Sequence, residues 1–194
     1  RFNTTASNNV AVGYQAGFNN TGGAITAIGQ QALYSNTGAS NVAVGYQASY
    51  SNTSGQDNVA LGRNALRSNT TASNNTAVGY EAGLSTTTGT RITAIGRSVL
   101  NGNTTGVDNT GVGGIDASAS ATLGNNTTGT NNVAVGGGAL NANTTASNNT
   151  AVGYRALKAN TTGSENNAFG KGSLQSATTG GDNSAFGVHT LHAN

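Results

Sequence analysis

The sequence predicts an all-β fold: a parallel β-solenoid (β-roll) of about eleven coils, each of 16–17 residues. Three observations predict it. A glycine preceded by a short apolar stretch returns at Gly13, Gly29, Gly45, Gly62, Gly79, Gly96, Gly113, Gly136, Gly153, Gly170 and Gly187, with spacings of 16, 16, 17, 17, 17, 17, 23, 17, 17 and 17. The composition leaves little for an ordinary globule: only 7% of the residues are charged, where soluble domains carry about 25%. No stretch has helical spacing, and so much Gly, Thr and Asn opposes helix in any case. A polar tract of this kind would be disordered without a repeat. Apolar residues at fixed phases imply order gained by stacking.

Each element of the coil follows from its phase relative to the repeat glycine. Immediately before it stands a large apolar residue, as in Val12, Ile28, Val44, Leu61 and Phe169. Two before it is alanine, with Gly111 the exception, and three before it is usually Val or Thr. Period-two alternation with β-branched residues reads as a short strand. The glycine itself is the bend. A second apolar stretch follows, such as Gln31-Ala32-Leu33 or Arg155-Ala156-Leu157, and is expected to form a second strand. A corner such as Asn69-Thr70-Thr71-Ala72-Ser73-Asn74 closes the coil with residues that tolerate left-handed backbone.

Stacking places like residues above one another at about 4.8 Å, which gives a rod on the order of 50 Å long. The asparagines four before the glycine, among them Asn9, Asn41, Asn58, Asn75 and Asn149, then form an amide ladder along the axis. Residues 1–194 read as a single repeat array, broken once by six additional residues within 114–121.

The strand is apolar on both faces, and strands of that kind are buried on both faces. A thin coil covers only one of them. Identical chains related by rotation are the simplest cover for the other, so a homo-oligomer is expected, although spacing alone does not fix its order. Both ends of the chain fall in mid-repeat phase without an atypical cap, whereas solenoids normally end in polar caps. Two explanations fit: a piece of a longer fibre, or subunits that stack end to end into an extracellular filament.

Asn75-Thr76-Ala77-Val78-Gly79-Tyr80 and Asn149-Thr150-Ala151-Val152-Gly153-Tyr154 are similar to repeats in phage tail fibres and bacterial surface proteins. The Asn-x-Val-Ala-Val-Gly unit with its Ala-rich half-coil also resembles the head repeat of trimeric autotransporter adhesins. The resemblance covers essentially the whole chain, although the coil here is longer than the adhesin unit. It implies a left-handed roll that trimerises into a rigid shaft or head, located outside the cell, on its surface or on a virion. It also implies attachment to a host receptor or cell-surface glycan.

The remaining chemistry is sparse. Tyr14, Tyr46, Tyr80 and Tyr154 follow the repeat glycine, and Arg63, Arg97 and Lys171 take that place in other coils. This row is expected either to cover a corner or to contact sugars and anionic glycans. Ile115 and Asp116, inside the insertion, are the other candidates for surface binding, since excursions from an array often map to one exposed face. Asp57, Asp108, Glu165 and Asp182 share one phase, and one carboxylate per coil falls short of a calcium site. No serine has a His/Asp set near it, so catalysis is not expected, nor is a cofactor or metal. A net charge of +2 gives no basis for nucleic-acid binding, and no apolar run approaches a membrane span. Non-enzymatic fibre or adhesin segment is the leading reading. An ice-binding solenoid is a further one, although the adjacent threonines lie in expected turns.

Overall fold

The computed structural model describes residues 6–192. The sequence phases read at 1–3 and 193–194 lie outside them. Eleven strands of three residues run in chain order: β1 Val10–Val12, β2 Thr26–Ile28, β3 Val42–Val44, β4 Val59–Leu61, β5 Thr76–Val78, β6 Thr93–Ile95, β7 Thr110–Val112, β8 Val133–Val135, β9 Thr150–Val152, β10 Asn167–Phe169 and β11 Ser184–Phe186. They form one parallel sheet in sequential order. Its register places each repeat phase on itself, as in Ala60 on Ala77 and Leu61 on Val78. The register crosses the insertion unbroken, with Val112 paired to Val135. The chain is therefore a β-solenoid of about ten turns, and the six extra residues leave the stack without shifting it.

The expected second strand is absent, and this is the main correction to the coil. Two residues apart, Gln31 and Leu33 both take left-handed backbone, at φ 58° and 49°. Arg155 and Leu157 do the same at 58° and 50°. Alternating left-handed residues turn the chain tightly, so the stretch after the glycine is a double turn. Ala82 N–H donates to Gly79 O at 3.3 Å, and Thr86 N–H donates to Gly83 O at 3.1 Å. Left-handed backbone is costly for a β-carbon-bearing residue. Here it is offset because the turn aims Leu33, Leu66, Leu100, Leu140 and Leu157 inward, all with no exposed surface.

Axial hydrogen bonding continues through the turns. In one coil, Thr76 N–H donates to Ile92 O at 2.9 Å, Gly79 to Leu61 O at 2.8 Å, Glu81 to Arg63 O at 3.0 Å and Gly83 to Val99 O at 2.9 Å. Backbone groups of strand and turn alike find partners in the adjacent coils, which answers the requirement that buried peptide groups be paired.

The repeat glycine is required twice over. Its φ runs positive, +135° at Gly153, and a β-carbon there would stand 2.6 Å from the carbonyl carbon of Gly170. Coils approach so closely at this bend that only hydrogen fits.

The core is narrow and holds its volume by local exchange. Alanines of the sheet, such as Ala60, Ala77 and Ala94, face inward with no exposed surface, opposite Ala65, Ala82 and Val99. Val99 stands where most coils have alanine, and Gly111 replaces the alanine it meets. A β-carbon at Gly111 would lie 2.5 Å from Val99 Cγ1. Gly17 and Gly83 likewise occupy the phase of the core leucines. Their places are filled by Ile25 and Ile92, whose Cδ1 atoms would lie 3.6 and 3.3 Å from β-carbons at those glycines. Close packing is kept by such pairs.

Candidate functional site

Two buried asparagine ladders frame the core. In the expected one, Asn41 Oδ1 accepts from Asn58 N–H at 3.0 Å and from Asn58 Nδ2 at 3.1 Å, while Asn58 Oδ1 accepts from Asn75 N–H at 3.0 Å. Asn149 continues it on Asn132 at 3.0 Å, and Asn9 Oδ1 accepts from Ile25 N–H at 3.0 Å. The second ladder runs through the corner, seven residues after the glycine. Asn52 Nδ2 donates to Asn36 Oδ1 at 2.6 Å and Asn69 Nδ2 to Asn52 Oδ1 at 2.7 Å. From the sequence alone these corner residues read only as turn formers. Their fixed phase, seven residues after the repeat glycine, is the signal of the second ladder. Where the second ladder is interrupted by Thr86, both Asn69 Oδ1 and Thr86 Oγ1 are buried without a partner, and before Ala177 the same is true of Asn160 Oδ1. Asn69, Asn103 and Asn160 are wholly buried, so the Asn-x-Thr sequences they begin carry no glycan on the folded chain.

The corner threonines form a third ladder: Thr53 Oγ1 donates to Thr70 O at 2.9 Å and Thr70 Oγ1 to Thr87 O at 3.0 Å. Their hydroxyls point along the axis. The threonines of the sheet are a separate set, with Thr26, Thr76, Thr93, Thr110 and Thr150 turned outward among Val10, Val42, Val59 and Val133.

The outward face of the sheet carries no charged residue. Its second row reads Val12, Ile28, Val44, Leu61, Val78, Ile95, Val112, Val135, Val152, Phe169 and Phe186. Ile28 is 37% exposed, Ile95 40% and Val135 36%. Phe169 and Phe186 stack with ring centroids 5.0 Å apart. Of the two apolar faces expected from the sequence, alanine is the one that lines the interior, and the larger side chains stand outside.

The corner after the glycine presents planar side chains. Tyr14, Tyr46, Tyr80 and Tyr154 are all exposed. The Arg63 guanidinium lies 5.7 Å from the ring centres of both Tyr46 and Tyr80, and Arg97 lies 5.7 Å from Tyr80 on the next coil. A parallel row, which the sequence reading missed, stacks Phe18 on Tyr34 at 5.3 Å, Tyr34 on Tyr50 at 5.1 Å, and Arg67 over Tyr50 at 5.6 Å. Between the rows, Gln31 Nε2 donates to Gln15 Oε1 at 3.0 Å, Gln47 Nε2 to Gln31 Oε1 at 2.8 Å, and Arg67 Nε to Gln47 Oε1 at 2.8 Å.

The insertion is a clasped loop. Ile115 bridges Ala121 in antiparallel fashion. Asp116 points inward: its side chain has no exposed surface, Arg155 Nε donates to its Oδ2 at 2.6 Å, and Lys158 Nζ lies 3.4 Å away. Ser118 and Ser120 N–H donate to its Oδ1 at 2.8 and 2.9 Å. Burial pushes the carboxyl up, but the Ser120 amide, Arg155, the Ser118 amide and Lys158 together hold it well below the usual carboxylate range. Gly137 and Gly138 stand where Tyr154 and Arg155 stand one coil later, and the loop lies over them. Asp116 thus serves as the anchor of the loop, and the exposed tip is Ala117, Ser118 and Ala119.

The acidic phase occupies a left-handed turn position, with φ of 55° at Asp57, 57° at Asp108, 62° at Glu165 and 59° at Asp182. Arg91 shares that phase and forms a two-point ion pair with Asp108, at 2.6 and 2.8 Å. Among the described residues no group of three or more His, Cys, Asp or Glu is placed to hold a metal, and no helix is long and apolar enough to cross a membrane.

These features define the class: a parallel β-solenoid repeat protein whose chemistry is arranged in axial rows. The chain matches no protein-family model, no curated protein and no solved structure.

Proposed function

We propose that the chain is a non-enzymatic segment of an extracellular fibre or adhesin that self-associates, as a homotrimer, through the outward face of its sheet. The observation that carries this reading is the uncharged row from Val12 to Phe186, which follows the whole array. A contiguous apolar strip of this length is unusual on a monomer's surface. The occupant that fits it best is another copy of the chain. Its rows share the same repeat of about 4.8 Å, so contacts made at one coil recur at every coil, and rotational symmetry then closes the assembly. Such a shaft gives reach and a rigid display surface.

Sedimentation velocity of the purified chain tests the reading. A stable trimer is expected, and substitution of Val78 and Ile95 by lysine, two charges in mid-row, is expected to dissociate it. A stable monomer for the unaltered chain would overturn the proposal.

A further inference from the structure

The Tyr/Arg corner has chemistry of its own, distinct from the sheet face. In the Tyr46–Arg63–Tyr80–Arg97 row, Tyr80 has a guanidinium over each face, so its ring faces are closed to a stacking sugar. What remains outward is ring edges, which carry the positive end of the aromatic quadrupole, together with hydroxyls and guanidinium N–H groups. Neither Arg63 nor Arg97 makes an ion pair among the described residues, where the pairs formed are Arg91–Asp108, Arg155–Asp116 and Lys158–Asp116. The adjacent row brings a third cation, Arg67, and Glu81, in the Gln phase between the two rows, is the one acid on this side over these coils. Glu81 is next to Tyr80 in the chain, and it is the main reason the Tyr80 hydroxyl titrates above its ordinary range.

We propose that this strip, residues 46–97 on the corner side, binds a linear acidic polysaccharide laid along the solenoid axis. The stacked side chains are held in place before any ligand arrives, so little rotamer freedom is lost on binding. Guanidinium groups recur on alternate coils, at an interval of about 10 Å. A chain with one carboxylate on every second sugar offers charges at a comparable interval, and the intervening Tyr hydroxyls face its neutral hydroxyls. A nucleic acid is a poor match. Duplex DNA carries one charge per about 1.7 Å, far denser than the strip, and the two guanidinium groups over Tyr80 leave its ring closed to a single-stranded base.

The test is calorimetric titration, at low and at physiological salt, with sized hyaluronan oligosaccharides as the probe. Neutral dextran and single-stranded DNA of equal total charge serve as comparisons. Hyaluronan is expected to bind with salt-sensitive affinity, dextran not at all, and DNA more weakly. The double variant R63Q/R97Q should lose about ten-fold in affinity, while K171Q, in the same row beyond the insertion, should bind unchanged. Circular dichroism and sedimentation of each variant report fold and assembly separately, so failure of the fibre reading and failure of this one are distinguishable. Absence of hyaluronan binding, DNA binding as tight as hyaluronan, or equal affinity for R63Q/R97Q with its fold intact would each overturn the proposal.

Discussion

The sheet side and the corner side of each coil are built from adjacent halves of one short repeat, yet they solve burial in opposite ways. On the sheet side the backbone is extended and any β-branched residue suits it. There the interior receives alanine, or at Gly111 no side chain at all, and the large side chains face out. On the corner side the backbone is left-handed at two residues, which is unfavourable, but a leucine reaches the centre of the coil. The difference teaches where stability and interaction reside. The corner holds the monomer together, while the sheet face carries apolar area that contributes little unless something covers it.

The largest effect is expected at the bend joining the two sides. Gly153→Val places a branched side chain against Gly170 and demands an unfavourable φ, so a loss on the order of 4 kcal/mol is expected. Chemical denaturation followed by circular dichroism reads it.

The comparison itself is sharpened by two truncations. Leu100→Ala empties the corner core and should cost about 3 kcal/mol whatever the state of assembly. Val78→Ala should cost under about 1 kcal/mol in a monomer. Measured at rising protein concentration, a Val78→Ala cost that grows toward the Leu100→Ala value would show the outward row buried by a partner.

Next is the volume exchange between the sides. Gly111→Ala alone drives its β-carbon into Val99 and should lose about 2 kcal/mol, of which the added Val99→Ala change should restore at least half. A double-mutant cycle with no coupling would refute the pairing.

The loop clasp follows. Asp116 titrates below its ordinary value of 3.8 in the folded chain, so the stability it contributes is fully present above that pH and is lost as acid protonates it in the fold. Asp116→Asn should lose about 2 kcal/mol near neutrality and flatten the stability profile below pH 4. Urea midpoints across pH 2.5–7 check both.

The smallest effect is a gain. Thr86→Asn completes the corner ladder and gives Asn69 Oδ1 a donor, so a rise of about 1 kcal/mol in stability is expected, read as a higher denaturation midpoint.

Much of the site was legible where the sequence repeats strictly. Gly79 and Asn75 were placed by phase alone, because a strand stacked on itself must align them. The second ladder was equally periodic, but Asn69 and Asn103 look like ordinary turn residues until the corner is seen to be closed and dry. Asp116 read as a candidate for surface binding for a similar reason. Its partners Arg155 and Lys158 are 39 and 42 residues away, and no local pattern joins them.

By itself the sequence determined the repeat, the parallel register, the bend and the amide ladder, since each follows from identical units placed one above another. Only the tertiary structure decided that the stretch after the bend turns instead of extending, that alanine faces inward while valine faces out, and that the insertion is clasped. Those outcomes depend on which side chains fit a narrow interior once the coil closes, a matter of volume and backbone handedness that periodicity does not encode.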